Sequence, residues 1–240
     1  MSAKSVLKHI QAITFDVHHV LLTVRNGAPH QYARLARQHL GMESIDESLL
    51  RTNFIQAFRT FNIKHPGYGV HTNITSRQWW TLLIEYTFKD YHLSSEQLNK
   101  LSRVIYDEFA KGELWVKHPE ADEVLRELKP KKTLGVISNF DERLESLLEQ
   151  HQLRQYFQFI LTPRNCGMYK PQADIFNHAA KLAQVKSNEH LCHIGDDVKL
   201  DYQAGRAAGC HVLLLTKDEH ADIDRSHMIS SLKELLNKFS

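Results

Sequence analysis

Residues 120–216 decide the fold. EADEVLREL (Glu120 to Leu128) has helical periodicity and TLGVIS (Thr133 to Ser138) reads as a strand. DERLESLLEQH (Asp141 to His151) is helical, FQFILT (Phe157 to Thr162) a strand and QADIFNHAAKLAQ (Gln172 to Gln184) helical. HLCHIG (His190 to Gly195), KLDYQAGRAAG (Lys199 to Gly209) and HVLLLT (His211 to Thr216) continue as strand, helix and strand. This alternation predicts βαβ units and a parallel sheet. The strands are short and almost wholly apolar, as expected where helices cover both faces. MISSLKELLNKF (Met228 to Phe239) predicts a closing helix, and AITFDV (Ala12 to Val17) predicts a first strand far upstream.

Between that strand and Ala110 the pattern is almost purely helical. HQYARLARQHL, ESLLRTNFIQAFRTF, SRQWWTLLIEYTF and SSEQLNKLSRVIYDEFA repeat apolar residues at intervals of three and four. Ser76 and Ser94 are the expected N-caps, and Pro66, Gly67 and Gly69 mark a loop. The expected architecture is an α/β core of residues 1–22 and 112–240, interrupted at about 23–111 by an all-helical insert. No internal repeat or low-complexity tract is present.

With 240 residues, 42% of them hydrophobic and 24% charged, the composition is that of a globular protein with a substantial core. A net charge of +2 argues against a nucleic-acid or anionic-membrane partner. The one basic cluster, Lys129, Lys131 and Lys132 around Pro130, reads as a solvated turn. Cys166, Cys192 and Cys210 form an odd set without C-x-x-C spacing, which predicts a reduced protein inside the cell, cytoplasmic or nuclear. MSAKSVLKHI lacks the apolar stretch of a secretion signal, and no apolar run is long enough to span a membrane. His190, Cys192 and His193 resemble a ligand cluster, but strand alternation points Cys192 and His193 to opposite faces.

Chemistry-bearing residues collect at strand ends. The first strand ends in Asp16 and the second in Ser138-Asn139. The loop after the third leads to Lys170-Pro171, and the fourth ends in Gly195-Asp196-Asp197 with Asp201 four residues on. Each feature alone is a common turn or cap. Together, in a parallel sheet, they fall on one edge. There Asp16, Asp196, Asp197 and Asp201 place four carboxylates near one cation, Lys170, and such a cluster calls for a compensating metal. An open, all-oxygen site suits Mg²⁺, which takes one or two carboxylates, waters and a substrate phosphate. Ser138 and Asn139 are candidates to hold phosphoryl oxygens and Lys170 to neutralise charge, with Asp16 as nucleophile.

Phe15-Asp16-Val17, Ile137-Ser138-Asn139, Lys170-Pro171 and Ile194-Gly195-Asp196-Asp197 resemble the four motifs of the haloacid dehalogenase (HAD)-like hydrolases. The insert lies where the helical cap of their haloacid dehalogenase and phosphatase branch lies. TSRQWW, VISNFDERLE, FILT, KPQADIF and DYQAGRAAG narrow the likeness to one subgroup. The resemblance covers essentially the whole chain. It implies a Rossmann-like core with a helical cap, and a Mg²⁺-dependent phosphatase of a small phosphate ester or acyl phosphate. It further implies Asp16 as nucleophile, Asp196 as the main acidic metal ligand and a metal contact from the His18 backbone carbonyl. Ser138 and Lys170 become phosphoryl ligands, and Asp197 or Asp201 supports the metal shell.

The first motif departs from the family's D-x-D-G-T and reads Asp16, Val17, His18, His19, Val20. The aspartate that protonates the leaving oxygen is His18. General acid–base catalysis is worth about 10²–10⁴ in rate. Imidazole titrates near neutrality and can supply it, but a neighbouring Mg²⁺ disfavours the protonated form. Three readings follow: a phosphatase acting on good leaving groups, a catalytically inactive descendant that keeps the pocket for binding, and a haloacid dehalogenase. The dehalogenase ranks last, because displacement of halide by aspartate needs no metal. In the insert, Arg77 is the candidate substrate contact, while Trp79 follows core spacing with Leu82, Leu83 and Tyr86.

Overall fold

A computed structural model describes residues 7–239; residues 1–6, with most of the N-terminal stretch read above for a secretion signal, and residue 240 lie outside the described residues. The strands are β1 (Ala12–Phe15), β2 (Leu22–Val24), β3 (Trp115–Lys117), β4 (Thr133–Ile137), β5 (Phe159–Leu161), β6 (Leu191–Gly195), β7 (His211–Leu215) and β8 (Met228–Ile229). The main helices are α1 (Ala28–Leu40), α2 (Glu47–Lys64), α3 (Ser76–Thr87), α4 (Ser95–Glu108), α5 (Ala121–Leu128), α6 (Leu144–Gln150), α7 (Ala173–Leu182), α8 (Ala204–Ala207) and α9 (Glu234–Lys238). None of the described helices is long and apolar enough to cross a membrane.

Six strands form one parallel sheet in the order β5-β4-β1-β6-β7-β8, a Rossmann-like α/β core. β2 and β3 pair separately. Every residue of β1 is buried, and the strand sits in the middle with Phe15 in register with Val136 on one side and Ile194 on the other. The chain leaves β1 in both directions across the sheet, so the crevice outside its carboxyl end is the switch point where α/β sheets bind ligands. Ile175, Phe176 and Ala179 of α7 fill one cluster of the core against Ile137, Leu161 and Leu191.

By its internal contacts the chain separates into two compact units. One comprises Met1–Thr23, Lys117–Asn139 and His151–Ser240, and the other Val24–Val116 and Phe140–Gln150. The expected division, 1–22 with 112–240 against 23–111, differs mainly in residues 140–150. Their chemistry explains the difference. The buried Asp141 carboxylate accepts from the Arg143 guanidinium (2.9 Å to Nε) and from the Trp80 indole N–H (2.6 Å). Arg143 lies 4.0 Å over the Tyr106 ring, and the Tyr106 hydroxyl donates to Glu142 at 2.8 Å. A sequence reading for periodicity sees a helix in this segment but not these polar attachments.

In the second unit, Trp79 is fully buried and meets Phe58, Phe61 and Tyr68 edge-on, as its helical spacing predicts. Ser94 caps α4 as expected, in a capping box with Gln97. Ser76 does not cap α3. Thr75 does, accepting from the Gln78 N–H while the Gln78 side chain accepts from the Thr75 N–H, and Ser76 is the buried first helical residue. A second correction falls at the C-terminus, where Met228 and Ile229 form an edge strand pairing with Leu214 and Leu215 instead of beginning a helix. Glu234 accepts from both the N–H and hydroxyl of Ser230, which ends the strand and confines α9 to Glu234–Lys238.

Candidate active site

The carboxyl ends of β1, β4 and β6 deliver three motifs to one edge. Asp16 follows β1, its N–H bound to the Ile194 carbonyl at 2.8 Å. Ser138 follows β4, buried, with its N–H on the Leu161 carbonyl at 3.0 Å. Asp196 follows β6. Lys170 arrives from the loop after β5, and Asn139 places it. The Asn139 amide donates to the Lys170 carbonyl at 2.7 Å, and its oxygen accepts from the Lys170 N–H at 2.8 Å. Both ends of the Asn139 amide thus grip backbone, so the side chain expected to hold phosphoryl oxygens positions the lysine.

The Lys170 ammonium is 2% exposed and stands between two carboxylates, 3.1 Å from Asp16 Oδ1 and 2.5 Å from Asp201 Oδ1. Burial alone lowers an ammonium pKa, but the charges of Asp16 and Asp201 outweigh it and hold Lys170 above its ordinary value. Asp201 is completely buried and saturated. Oδ1 accepts from Lys170 and from His193 Nε2 (3.0 Å), and Oδ2 accepts from the Asp196 N–H (3.1 Å) and the Asp197 N–H (3.0 Å). Burial raises a carboxyl group, yet Lys170 and His193 hold Asp201 well below the usual carboxylate range. The approach is so close that a Cβ on Gly195 would lie 2.2 Å from Asp201 Cγ. That contact is a physical reason for glycine in Ile194-Gly195-Asp196.

Ligand atoms of Asp16, Asp196 and Asp201 lie within 4.8 Å of one another, the one such group of three among the described residues. Asp197 is not part of it. Its exposed carboxylate caps the following turn, accepting from Lys199 N–H (2.8 Å) and Leu200 N–H (2.7 Å), because an aspartate directly before a helical turn satisfies the turn's free donors. The donor set fits a hard divalent cation. Burial, then the charges of Asp16 and Asp201, push Asp196 up to about 7, and Asp16 Oδ1 is buried with an ammonium beside it but no aligned hydrogen bond. A cation between Asp16 and Asp196 would relieve both conditions. Asp201, with four donors already on its two oxygens, has little capacity left for a metal.

The departures in the first motif have local consequences. The chain turns sharply after Asp16, with Leu21 and Leu22 N–H both on the Val17 carbonyl at 2.9 Å. His19, at the family's usual glycine, has φ 63°, the left-handed region that glycine enters without strain. Val20, at the threonine position, is completely buried and joins the apolar core. The His18 ring lies 3.9 Å from the His19 ring, and burial, then the charge of His19, bring its pKa down to about 4, so the imidazole is neutral at pH 7. The His18 side chain is not in the carboxylate cluster.

Arg77 belongs to the other unit. Its guanidinium pairs with Asp107 at 2.9 Å and lies 4.2 Å over the Tyr106 ring. Cys166 donates to the Thr162 carbonyl and its thiol is raised by burial, in keeping with an inert residue. Sequence reasoning missed Thr14 and His193. Both are completely buried, and their side chains meet at 3.0 Å. A polar residue in each of two otherwise apolar strands was the available signal.

Asp16, Lys170, Asp196 and Asp201 thus gather at one edge of a Rossmann-like sheet. The profile of the haloacid dehalogenase-like hydrolases matches residues 10–209, and the chain belongs to that family. Human haloacid dehalogenase-like hydrolase domain-containing protein 3 is 35% identical over 238 residues, covering 95% of this chain and 92% of that protein. The rhythmically expressed gene 2 protein of Drosophila melanogaster is 32% identical over 253 residues, covering 98% and 96%. Among solved structures, the magnesium-bound YfnB protein of Bacillus subtilis superposes with a TM-score of 0.72 at 18% identity, covering 95% of this chain and 97% of that one.

Two substitutions test this geometry by equilibrium urea unfolding. Gly195→Ala forces Asp201 away from the backbone and is expected to lower stability by about 1–3 kcal/mol; an unchanged midpoint would contradict the close approach. His19→Gly relieves the left-handed strain and is expected to raise stability by about 0.5–1 kcal/mol. A loss instead would show that the His18–His19 contact outweighs the strain.

Proposed function

We infer that the chain is a Mg²⁺-dependent phosphohydrolase of small phosphate esters or acyl phosphates, with the all-helical insert as a cap and an intracellular setting. The observation that carries this reading is the buried Lys170 ammonium, fixed 3.1 Å from the Asp16 carboxylate at the switch point of the sheet. In this reading Asp16, Asp196 and the His18 backbone carbonyl hold the metal, which when bound supplies positive charge for phosphate binding. Lys170 and Ser138 bind the phosphoryl oxygens. Asp16 attacks phosphorus, the bond to the leaving oxygen breaks, and that oxygen departs with the electron pair. Water then attacks the phosphorus of the aspartyl phosphate, which releases phosphate and restores the carboxylate.

At the family's second aspartate stands His18, whose imidazole burial keeps neutral at pH 7 and so a poor proton donor to the leaving group. Leaving groups that need little protonation, acyl and aryl phosphates, are therefore the favoured substrates. Arg77 has no part in this reading, since Asp107 and Tyr106 already engage it. One specific observation favours the alternative of a binding protein without turnover, namely that three positions of the first motif, His18, His19 and Val20, have all changed. The haloacid dehalogenase reading stays third, because it leaves the acidic fourth motif without a task.

The test is a panel of acyl, aryl and alkyl phosphates assayed with wild type, Asp16→Asn and Asp196→Asn. Hydrolysis of the acyl or aryl members is expected, abolished by Asp16→Asn. Mg²⁺ at millimolar concentration is expected to raise the melting temperature of wild type but not of Asp196→Asn. Equal rates in wild type and Asp16→Asn would remove the enzyme and leave the binding protein; halide release from haloacids would favour the dehalogenase.

A further inference from the structure

Thr14 and His193 are register partners on the neighbouring strands β1 and β6, so their side chains share one face of the sheet. Both are completely buried. Thr14 Oγ1 lies 3.0 Å from His193 Nδ1, and His193 Nε2 lies 3.0 Å from Asp201 Oδ1. The Phe176 ring meets the imidazole edge-on at 5.3 Å and closes the remaining side. Ionised Asp201 can only accept, so Nε2 carries a proton. In the neutral ring Nδ1 is then the acceptor, and the Thr14 hydroxyl donates to it. With the ring neutral, donation runs from Thr14 to His193 to Asp201, and in either protonation state Nε2 donates to Asp201.

Asp201 Oδ1 is the atom that also receives Lys170. Its other oxygen is held by the backbone of Asp196 and Asp197. The imidazole therefore fixes the oxygen on which the ammonium is anchored. We propose that His193, oriented by Thr14, is a positioning residue for the site: its Nε2–H holds Asp201 and thereby sets the Lys170 ammonium beside Asp16. The functional weight of this assignment rests on the phosphohydrolase reading, in which Lys170 binds the phosphoryl group; the placement of the ammonium does not. A buried histidine serving only as filler would need its bulk and not its donor, which separates the two roles experimentally.

Three variants of the full chain test this. His193→Gln keeps an N–H donor near Nε2, His193→Leu keeps apolar bulk without a donor, and Thr14→Val removes the orienting hydroxyl. The first readout needs no ligand: the hydrogen exchange of the Lys170 ammonium, followed by NMR. Slow exchange is expected in wild type and His193→Gln, with exchange faster by about tenfold or more in His193→Leu and an intermediate rate in Thr14→Val. Equal rates in wild type, His193→Gln and His193→Leu would overturn the proposal, as would His193→Gln behaving no better than His193→Leu. The second readout is affinity for inorganic phosphate by calorimetry, expected to fall about tenfold in His193→Leu and to stay within about threefold in His193→Gln. Should wild type bind no phosphate while ammonium exchange keeps the expected order, the phosphohydrolase reading fails and the positioning role stands. If His193→Leu does not fold, Thr14→Val decides, and unaltered ammonium exchange in that variant overturns the proposal.

Discussion

A buried ammonium organises this molecule. Taking Lys170 out of water costs several kcal/mol even after relaxation, and only close, well-oriented anions offset it. Asp16 and Asp201 do so from opposite ends of the chain, and each must be delivered to within hydrogen-bonding range. That requirement constrains the surroundings. β1 must sit between β4 and β6, Gly195 must lack a side chain so that Asp201 can approach, and Asn139 must bind the Lys170 backbone at both ends. Asp201 in turn needs four donors, two from backbone and two from side chains, because a fully buried carboxylate without partners would not stay ionised.

The same constraint sorts the acidic residues by task. Asp201 is saturated and acts as the counter-ion of the lysine. Asp197 is spent on capping a turn. Asp196 and Asp16 are left with unmet electrostatic demand, Asp196 through a carboxyl group that burial and its neighbours push up and Asp16 through a buried oxygen without an aligned donor. The departures of the first motif spare these two residues. They put a half-buried histidine two residues after Asp16, place His19 in a left-handed turn and bury Val20 in the core.

The fold was legible because helical and strand periodicity depend on local burial, which short apolar runs such as HLCHIG and HVLLLT record directly. Asp16, Lys170 and Asp196 were legible because they stand at strand ends and loop exits in a fixed order. The specific tasks of Asn139, Asp197 and Asp201 were not, because a carboxylate or amide at a turn reads alike whether it holds a ligand, a helix end or another backbone. Thr14 and His193 were hidden for a different reason. Their partnership depends on strand order, which spacing along the chain does not contain. Residues 140–150 group by contact with the second unit, which their pattern does not announce, because an amphipathic helix says that it packs, not on what. Met228 and Ile229 read as helix because two residues are too few to show strand alternation.

The central claim is that the fold is arranged around a compensated buried charge, and the most direct measurement is the unfolding free energy of Lys170→Met. The substitution keeps the length of the side chain and removes the cation, leaving Asp16, Asp196 and Asp201 to face one another. A loss of about 3–5 kcal/mol in urea unfolding at neutral pH is the expected result. A loss below about 1 kcal/mol, the range of a solvent-exposed ion pair, would contradict the account.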